Sequence, residues 1–325
     1  MEAILIDEAT NELYFTEVAD PVPKENELVV RIKSTALNRA DILQRYGQYP
    51  LPPGANPIPG LEMSGIVESV GSNVKDFKEG DRVFSLLSGG GYAEKVAIPS
   101  DLAIRIPPYF SFEQAAAIPE AYLTAYLNLF LLGNVQPTDH VLIHAGASGV
   151  GLAATQIVNA VGATAIVTAS SEKKLNVCSR NGANFTINYK KEDFAEKVLE
   201  VTNGTGVQLI LDFVGAPYWE KNIKSLSNDG ILILIGLLGG TVVNKIDLSE
   251  ILFRRLQIKA TTLRSRTNEE KIFLTKQFAK FALPKFENRL LVPVIDSVYD
   301  WKDVRDAHER METNKNIGKI ILNIT

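Results

Sequence analysis

The residues best placed to do chemistry lie in the stretch Val141-Leu142-Ile143-His144-Ala145-Gly146-Ala147-Ser148-Gly149-Val150-Gly151. A short apolar run enters a turn of small residues, and an apolar helical pattern leaves it. Side chains this small let backbone N–H groups close on a pyrophosphate, which then sits at the positive end of the following helix. Gly146, Ser148, Gly149, Val150 and Gly151 are therefore candidate phosphate contacts. The stretch departs from G-x-G-x-x-G, because Ser148 holds the central glycine position and Gly149 follows it. Tight helix–strand packing without a ligand would use the same glycines. The strand before, the helix after and the strand–helix alternation beyond favour a dinucleotide.

The second strand of that alternation, Ala165-Ile166-Val167-Thr168, runs into Ala169-Ser170-Ser171-Glu172-Lys173-Lys174. A site for NAD usually places an acid there to hold the ribose 2′-hydroxyl. Here no carboxylate precedes Glu172. A hydroxyl pair followed by two lysines suits a 2′-phosphate instead, which favours NADPH through Ser170 and Lys174. The same residues also read as a capped helix start with solvated lysines, and both readings hold together. Ligands bind outside the carboxyl ends of such strands, so the later ends also count. Those are Asp212-Phe213-Val214-Gly215 and Ile235-Gly236-Leu237-Leu238-Gly239-Gly240, where Gly236 and Leu238 are candidates to face a nicotinamide ring. Ordinary turn glycines are the bland reading.

Other chemistries find little support. The chain has one cysteine, Cys178, and three histidines, His140, His144 and His308. One thiol excludes an internal disulfide and a zinc site built on several thiolates. The histidines lack ligand spacing, so no metal is expected. No Ser-His-Asp order or paired-carboxylate motif stands out. Hydride transfer, supplied by a nicotinamide and oriented by the protein, is the economical chemistry.

The elements that must position these residues change texture along the chain. Up to about Ile106, alternating stretches such as Leu28–Ile32, Gly65–Val70 and Tyr92–Val96 read as strands, separated by proline and glycine turns. At Ser111, with Gln114 three residues on, a capping box starts helical spacing. A second helix covers about Leu123–Leu132. Strands at His140–His144, Thr164–Thr168, Leu209–Phe213, Ile231–Ile235 and Gln257–Thr261 then alternate with helices from Val150, from Glu172 and around Trp219–Leu226. Short apolar strands separated by helices indicate a parallel sheet covered on both faces. A helix at Asn268–Ala282, a strand near Val292–Ile295, a helix at Trp301–Met311 and a strand at Lys319–Ile324 close the chain, and these elements can return to the first domain.

Composition agrees. At 325 residues the chain has room for about two domains of roughly 150 residues. With 46% hydrophobic and 22% charged residues it is globular, and its net charge of −4 offers no general field for nucleic acid or anionic membrane. The N-terminus carries two acids within eight residues and no basic start, so no targeting peptide is expected. A cytoplasmic setting, without membrane attachment, is the expectation.

Several segments carry a family resemblance. Ala36-Leu37-Asn38-Arg39-Ala40-Asp41, Gly47-Gln48-Tyr49-Pro50, Pro59-Gly60-Leu61-Glu62-Met63-Ser64-Gly65, Gly80-Asp81-Arg82-Val83 and Ala115-Ala116-Ala117-Ile118-Pro119 are among them. With the loop at Gly146–Gly151, they resemble the zinc-free quinone oxidoreductase branch of the medium-chain dehydrogenase/reductase superfamily over essentially the whole chain. The resemblance implies an α/β fold, a Rossmann doubly wound parallel sheet inserted into a β-rich GroES-like domain. It would divide the chain into residues 1–122 and 264–325 for the GroES-like catalytic domain and 123–263 for the NADPH-binding domain. Zinc-bearing relatives place a cysteine ligand near Asn38, and its absence here agrees with the cysteine count.

The resemblance also implies NADPH-dependent reduction of a quinone in an interdomain cleft, and a homodimer. Carried over by residue, Asn38, Asp41 and Tyr49 would line the cofactor cleft, and Ser148, Gly149 and Val150 would meet the pyrophosphate. Ser170, Lys174 and Tyr189 would surround the 2′-phosphate and adenosine, and Asn316 would close from the return segment. Tyr49 is the candidate to position the substrate carbonyl or donate to its developing oxyanion, although Tyr49-Pro50 also reads as an anchor for a proline-rich loop. The alternatives are an NADPH-dependent 2-alkenal or enone reductase, and a non-catalytic NADPH-binding protein with a structural or RNA-binding role.

Overall fold

The computed structural model describes residues 1–325. They divide into two bodies, Met1–Leu123 with Leu263–Thr325, and Thr124–Thr262.

In the first body, strict alternation makes strands, and proline and glycine end them. β1 (Glu2–Asp7) and β2 (Glu12–Glu17) form an antiparallel pair. β3 (Glu27–Ala36) is the spine of a seven-stranded sheet. A short helix, α1 (Arg39–Arg45), follows it, then β4 (Glu62–Val70), β5 (Arg82–Leu86), β6 (Lys95–Pro99) and β7 (Ala103–Arg105). Ser111 caps α2 (Phe112–Ala116) through the reciprocal bonds with Gln114 that the capping box requires, at 3.2 and 3.0 Å. α3 (Pro119–Tyr126) continues into a π-helical stretch, Leu127–Leu132, that stops at Gly133. The helical run Phe112–Leu132 is long and apolar enough to cross a membrane, but 78% of its most apolar window is buried within the protein.

The second body alternates as the apolar runs require. β8 (His140–Ile143), α4 (Gly149–Val161), β9 (Thr164–Ala169), α5 (Glu172–Arg180), β10 (Phe185–Asn188) and α6 (Phe194–Val201) come first. β11 (Val207–Asp212), α7 (Trp219–Ser225), β12 (Leu226–Leu234), α8 (Leu248–Phe253) and β13 (Gln257–Ala260) complete it. All its strand pairs are parallel, in the order β10-β9-β8-β11-β12-β13. That is the doubly wound Rossmann order, with its switch point between β8 and β11, where such sheets bind ligands. β10 and α6 fall where no elements were expected.

The chain then returns to the first body. α9 (Asn268–Glu287) is capped by Thr267 and runs five residues past its expected end at Ala282, through Pro284. Phe286, fully buried, packs its ring 5.2 Å from that of Tyr122 and holds the extra turn in place. The strand expected near Val292–Ile295 is β14 (Ile295–Asp300), followed by α10 (Val304–Glu312) and β15 (Lys319–Asn323). β15 pairs with β14 on one side and antiparallel with β3 on the other, so the last strand sits beside the spine of the first sheet.

Candidate active site

In the first body, the sequence around Asn38 builds a buried polar knot. Glu62 is wholly buried at the start of β4, and its Oε1 accepts from Asn38 Nδ2 and from Lys319 Nζ, both at 2.7 Å. Its Oε2 accepts from the backbone N–H of Glu120 at 2.8 Å. Lys319 completes its donors on Asn38 Oδ1 at 2.6 Å and on the Leu37 carbonyl at 2.8 Å. A charge taken out of water survives only if paired and fully hydrogen-bonded, and here every proton of the ammonium has an acceptor.

Asp41 serves the same framework. It is 1% exposed and accepts from the backbone N–H groups of Asn38 at 2.7 Å and Gly60 at 3.2 Å. As the third residue of α1 it caps the helix start, so the structure spends on the backbone the carboxylate expected in the cofactor cleft. Burial raises its pKa to about 6, making it a weaker acid, despite those two donors and Lys319. Asn38, expected in the same cleft, turns its amide to Glu62 and Lys319.

Tyr49 sits in the loop after α1, with the Arg264 guanidinium over its ring at 5.6 Å. Arg264 is 3% exposed and donates from Nε to the Ser88 carbonyl at 3.0 Å and from Nη1 to Gln44 Oε1 at 2.7 Å. Lys271, also buried, bonds Ser88 Oγ at 2.8 Å and the Arg264 carbonyl at 2.6 Å. Burial, joined by the Glu120 charge, pushes the Tyr49 phenol up to about 12, so it stays a donor at neutral pH. Asn316 lies just before β15, its Nδ2 donating to the Gly318 carbonyl at 3.0 Å.

The second body presents the glycine-rich loop at the carboxyl end of β8. Gly146 N–H is spent on the Thr168 carbonyl at 2.9 Å, and a Cβ there would come within 2.8 Å of Val167 Cβ. A Cβ on Gly151 would lie 2.5 Å from the Ala145 carbonyl oxygen. These two glycines serve helix–strand packing. Ser148 caps α4, its Oγ accepting from the Gly151 N–H at 3.0 Å. The cap uses only the oxygen as an acceptor, so the Ser148 O–H remains available to donate to a phosphate. The N–H groups of Gly149 and Val150, the first two residues of α4, remain unspent, as helix geometry dictates. With that O–H, they are what the loop offers an anion.

Beneath the loop lies an ordered polar floor. Asp212, at the end of β11, accepts from Val214 N–H at 2.7 Å and from Asn222 Nδ2 at 3.0 Å. This orients the Asn222 amide, whose Oδ1 accepts from His144 Nε2–H at 2.7 Å. His144 Nδ1 is then an acceptor for the Thr168 hydroxyl at 3.0 Å. Burial holds this imidazole at about 4, so it is neutral. It is a strut of the loop and carries no proton to the reaction.

At the end of β9, Ser171 takes the role of helix cap for α5, accepting from Lys174 N–H at 3.4 Å. Ser170 makes no hydrogen bond within the protein, which leaves its hydroxyl for a ligand. Glu172 is drawn to Asn188 Nδ2 and Lys191 Nζ, each at 3.3 Å, so the one nearby carboxylate is tied away from a ribose. Tyr189 is 40% exposed, its ring 6.2 Å from that of Tyr218. Gly236 and Leu238 belong to a loop zipped to the end of β11 by N–H bonds to Asp212 and Phe213, and Leu238 is 54% exposed. Cys178 is wholly buried and its thiol pushed up to about 12, which makes it inert as a nucleophile.

One body is a parallel six-stranded Rossmann sheet whose glycine-rich loop offers free N–H groups, and the other is β-rich and holds an arginine over a tyrosine ring; together these are the parts of a dinucleotide-dependent oxidoreductase. Residues 24–108 match the family model described as alcohol dehydrogenase GroES-like domain, and residues 149–279 that described as zinc-binding dehydrogenase. The quinone oxidoreductase of pig (Sus scrofa) is 33% identical over 94% of this chain and 92% of its own. A synaptic vesicle membrane protein VAT-1 homolog of zebrafish (Danio rerio) is 33% identical over 93% of this chain, which spans 65% of that protein. The crystal structure of Escherichia coli quinone oxidoreductase complexed with NADPH superposes with a TM-score of 0.88 at 31% identity, covering 100% of both chains. The chain therefore belongs to the zinc-free, quinone-oxidoreductase-like branch of the medium-chain dehydrogenase/reductase superfamily, and it is an oxidoreductase of that type. The residues present do not fit the zinc of the matched description: no three His, Cys, Asp or Glu side chains converge, and Asn38 is bonded to Glu62 and Lys319.

Glu62, Glu120, Lys319 and Lys271 escaped the sequence reading. Their signal was a lone charge inside an apolar strand or helix start, as in Leu61-Glu62-Met63. Lys319→Met leaves the Glu62 carboxylate buried without its counter-charge and is expected to cost about 3–5 kcal/mol in urea unfolding. Adding Glu62→Leu is expected to recover more than half of that loss; a double variant as unstable as the sum of the singles would show that the two residues are not coupled.

Proposed function

We propose that this protein is an NADPH-dependent quinone oxidoreductase. The second body binds NADPH: Gly149 and Val150 N–H groups take the pyrophosphate, while Ser170, Lys174 and Tyr189 surround the 2′-phosphate and adenosine. Gly236 and Leu238 border the nicotinamide. That ring supplies a hydride when bound. The first body supplies Tyr49, a phenol held protonated and braced by Arg264, to donate to the quinone oxygen on which negative charge develops. Asn38 and Asp41 hold the loop that carries Tyr49, and Asn316 borders the site from the return segment.

The observation that carries the cofactor choice is the end of β9. A free Ser170 hydroxyl stands there, and the adjacent carboxylate, Glu172, is bound to Asn188 and Lys191. A ribose 2′-hydroxyl would want that carboxylate, whereas a 2′-phosphate would be repelled by it. The NADPH complex of the E. coli relative supports the same choice.

A homodimer and a cytoplasmic setting belong to this proposal. β13 is an edge strand with Ile258 36% exposed, and nearby Val242, Leu248, Leu252 and Phe253 are 70–76% exposed, or 75% for Val242. An uncovered apolar edge of this kind invites pairing with a second copy. Sedimentation is expected to give twice the chain mass, and Phe253→Glu to shift it towards one; a monomer at every concentration would remove the dimer.

Steady-state oxidation of NADPH by a planar ortho-quinone, with NADH and a 2-alkenal in parallel, tests the reaction. Quinone turnover with NADPH is expected to dominate. Lys174→Ala is expected to raise KM for NADPH roughly 10–100-fold, the worth of one charge-assisted hydrogen bond, with little effect on NADH. Turnover of the alkenal alone would establish the enone reductase instead, and binding without turnover of either would establish a non-catalytic role.

A further inference from the structure

Arg264, Lys271 and Lys319 are cations buried in the first body, each exposed by 5% or less. Lys319 is compensated by the Glu62 carboxylate at 2.7 Å. The other two are not. Arg264 meets only neutral acceptors, the Ser88 carbonyl at 3.0 Å and Gln44 Oε1 at 2.7 Å. Lys271 likewise meets the Ser88 hydroxyl at 2.8 Å and the Arg264 carbonyl at 2.6 Å. Neither enters an ion pair, and the acids that act on them, Asp41, Glu120 and Glu270, do so from beyond ion-pair distance.

Two like charges thus converge on Ser88. A buried charge is costly unless it is paired or fully hydrogen-bonded, and Arg264 is neither. Its Nη2 is shielded from solvent and has no acceptor within the protein. A guanidinium cannot relieve this by giving up its proton. The cluster is short of a negative charge, and its position says which molecule supplies one. The guanidinium lies over the Tyr49 ring, 5.6 Å from the ring centroid. Gln44, its partner through Nη1, stands in the last turn of α1, and Tyr49 follows in the loop. A molecule hydrogen-bonded to Tyr49 therefore has Arg264 beside it.

We propose that Arg264, supported by Lys271, forms an anion subsite next to Tyr49, and that the preferred acceptor carries a carboxylate or sulfonate besides the group that is reduced. The proposal rests on the reading of Tyr49 as the residue that holds the acceptor. The N–H groups of Nη2 donate to one oxygen of the anionic group, and the lysine adds a second positive charge. A planar guanidinium suits an oxyanion better than any neutral acceptor does. An amide of the same shape would accept the hydrogen bond and leave the charge uncompensated, so the subsite selects by charge rather than by size.

The first test needs no turnover. With the protein saturated by NADP⁺, which fills the phosphate contacts of the second body, 2-naphthoate and 2-naphthamide are titrated by calorimetry. The two differ only in the charged group. Wild type is expected to bind 2-naphthoate roughly 10–100-fold more tightly, the worth of a hydrogen bond between charged groups. Arg264→Gln is expected to bring the two affinities within about threefold of each other. Equal affinities in wild type overturn the proposal, and so does a preference unchanged in Arg264→Gln, which would place the anion elsewhere. If Arg264→Gln does not fold, Lys271→Met decides: it is expected to cut the wild-type ratio at least about threefold, and an unchanged ratio overturns the subsite. Steady-state reduction of 1,2-naphthoquinone and its 4-sulfonate separates this proposal from the one it rests on. A higher kcat/KM for the sulfonate, lost in Arg264→Gln, supports both. Turnover of the two quinones without preference overturns the subsite and leaves the quinone reading standing. Turnover of neither, with the naphthoate preference intact, supports the subsite and overturns the quinone reading.

Discussion

The first body depends on the ion pair between Lys319 and Glu62. Both side chains are essentially out of water, with 6% and 0% of their surface exposed and 2.7 Å between nitrogen and oxygen. Such a pair is costly unless every remaining donor and acceptor is met, and meeting them draws four separate segments to one point. The loop after β3 gives the Leu37 carbonyl and the Asn38 amide, β4 gives Glu62, α3 gives the Glu120 N–H, and β15 gives Lys319. The last strand is thereby locked beside the spine of the sheet, and α1, which leads to Tyr49, starts from a fixed residue. An apolar pair of similar volume would pack as well, but it would not hold the N–H of Glu120 in place.

The second body solves a different problem with the same economy. Its loop must approach a phosphate closely while leaving donors unspent. Gly146 and Gly151 let the loop pack tightly against β9 and the end of β8, because a Cβ at either would strike neighbouring protein atoms. Ser148 closes the helix start, and the Asp212–Asn222–His144–Thr168 chain fixes the strand ends below. Each member orients the next: the carboxylate sets the amide, the amide sets the imidazole tautomer, and the imidazole accepts from the threonine. What remains for a ligand is what the rest of the network does not use: the N–H groups of Gly149 and Val150, the O–H of Ser148 and the hydroxyl of Ser170.

Much of this was legible in the sequence because it is local. The capping box at Ser111, the apolar strands around the glycine loop and the cap at Ser171 all depend on neighbours a few residues away. β10 was not legible, since Phe185-Thr186-Ile187-Asn188 has two exposed residues and no apolar run. The extension of α9 past Ala282 was hidden by Pro284, and the sequence does not show the buried packing of Phe286 against Tyr122, Phe110 and Phe278 that holds the extra turn. The polar knot was least legible of all: Glu62 and Lys319 stand 257 positions apart, and a charged residue in a strand reads as solvent-facing until its partner is seen. At Asp41 the sequence does not separate helix capping from ligand contact, since both use the same residue type; the structure shows its carboxylate accepting from two backbone N–H groups.

On the proposed function, Ser170 and Lys174 at the end of β9 would read the 2′-phosphate of NADPH, while the N–H groups at the end of β8 would meet the pyrophosphate that NADPH and NADH share. The dissociation constants of NADPH and NADH for the wild-type protein, measured side by side by calorimetry, test this reading most directly. Binding of NADPH at least about tenfold tighter than NADH, the worth of one good hydrogen bond to a charged group, is the result the account predicts. Equal affinities, or tighter binding of NADH, would contradict it.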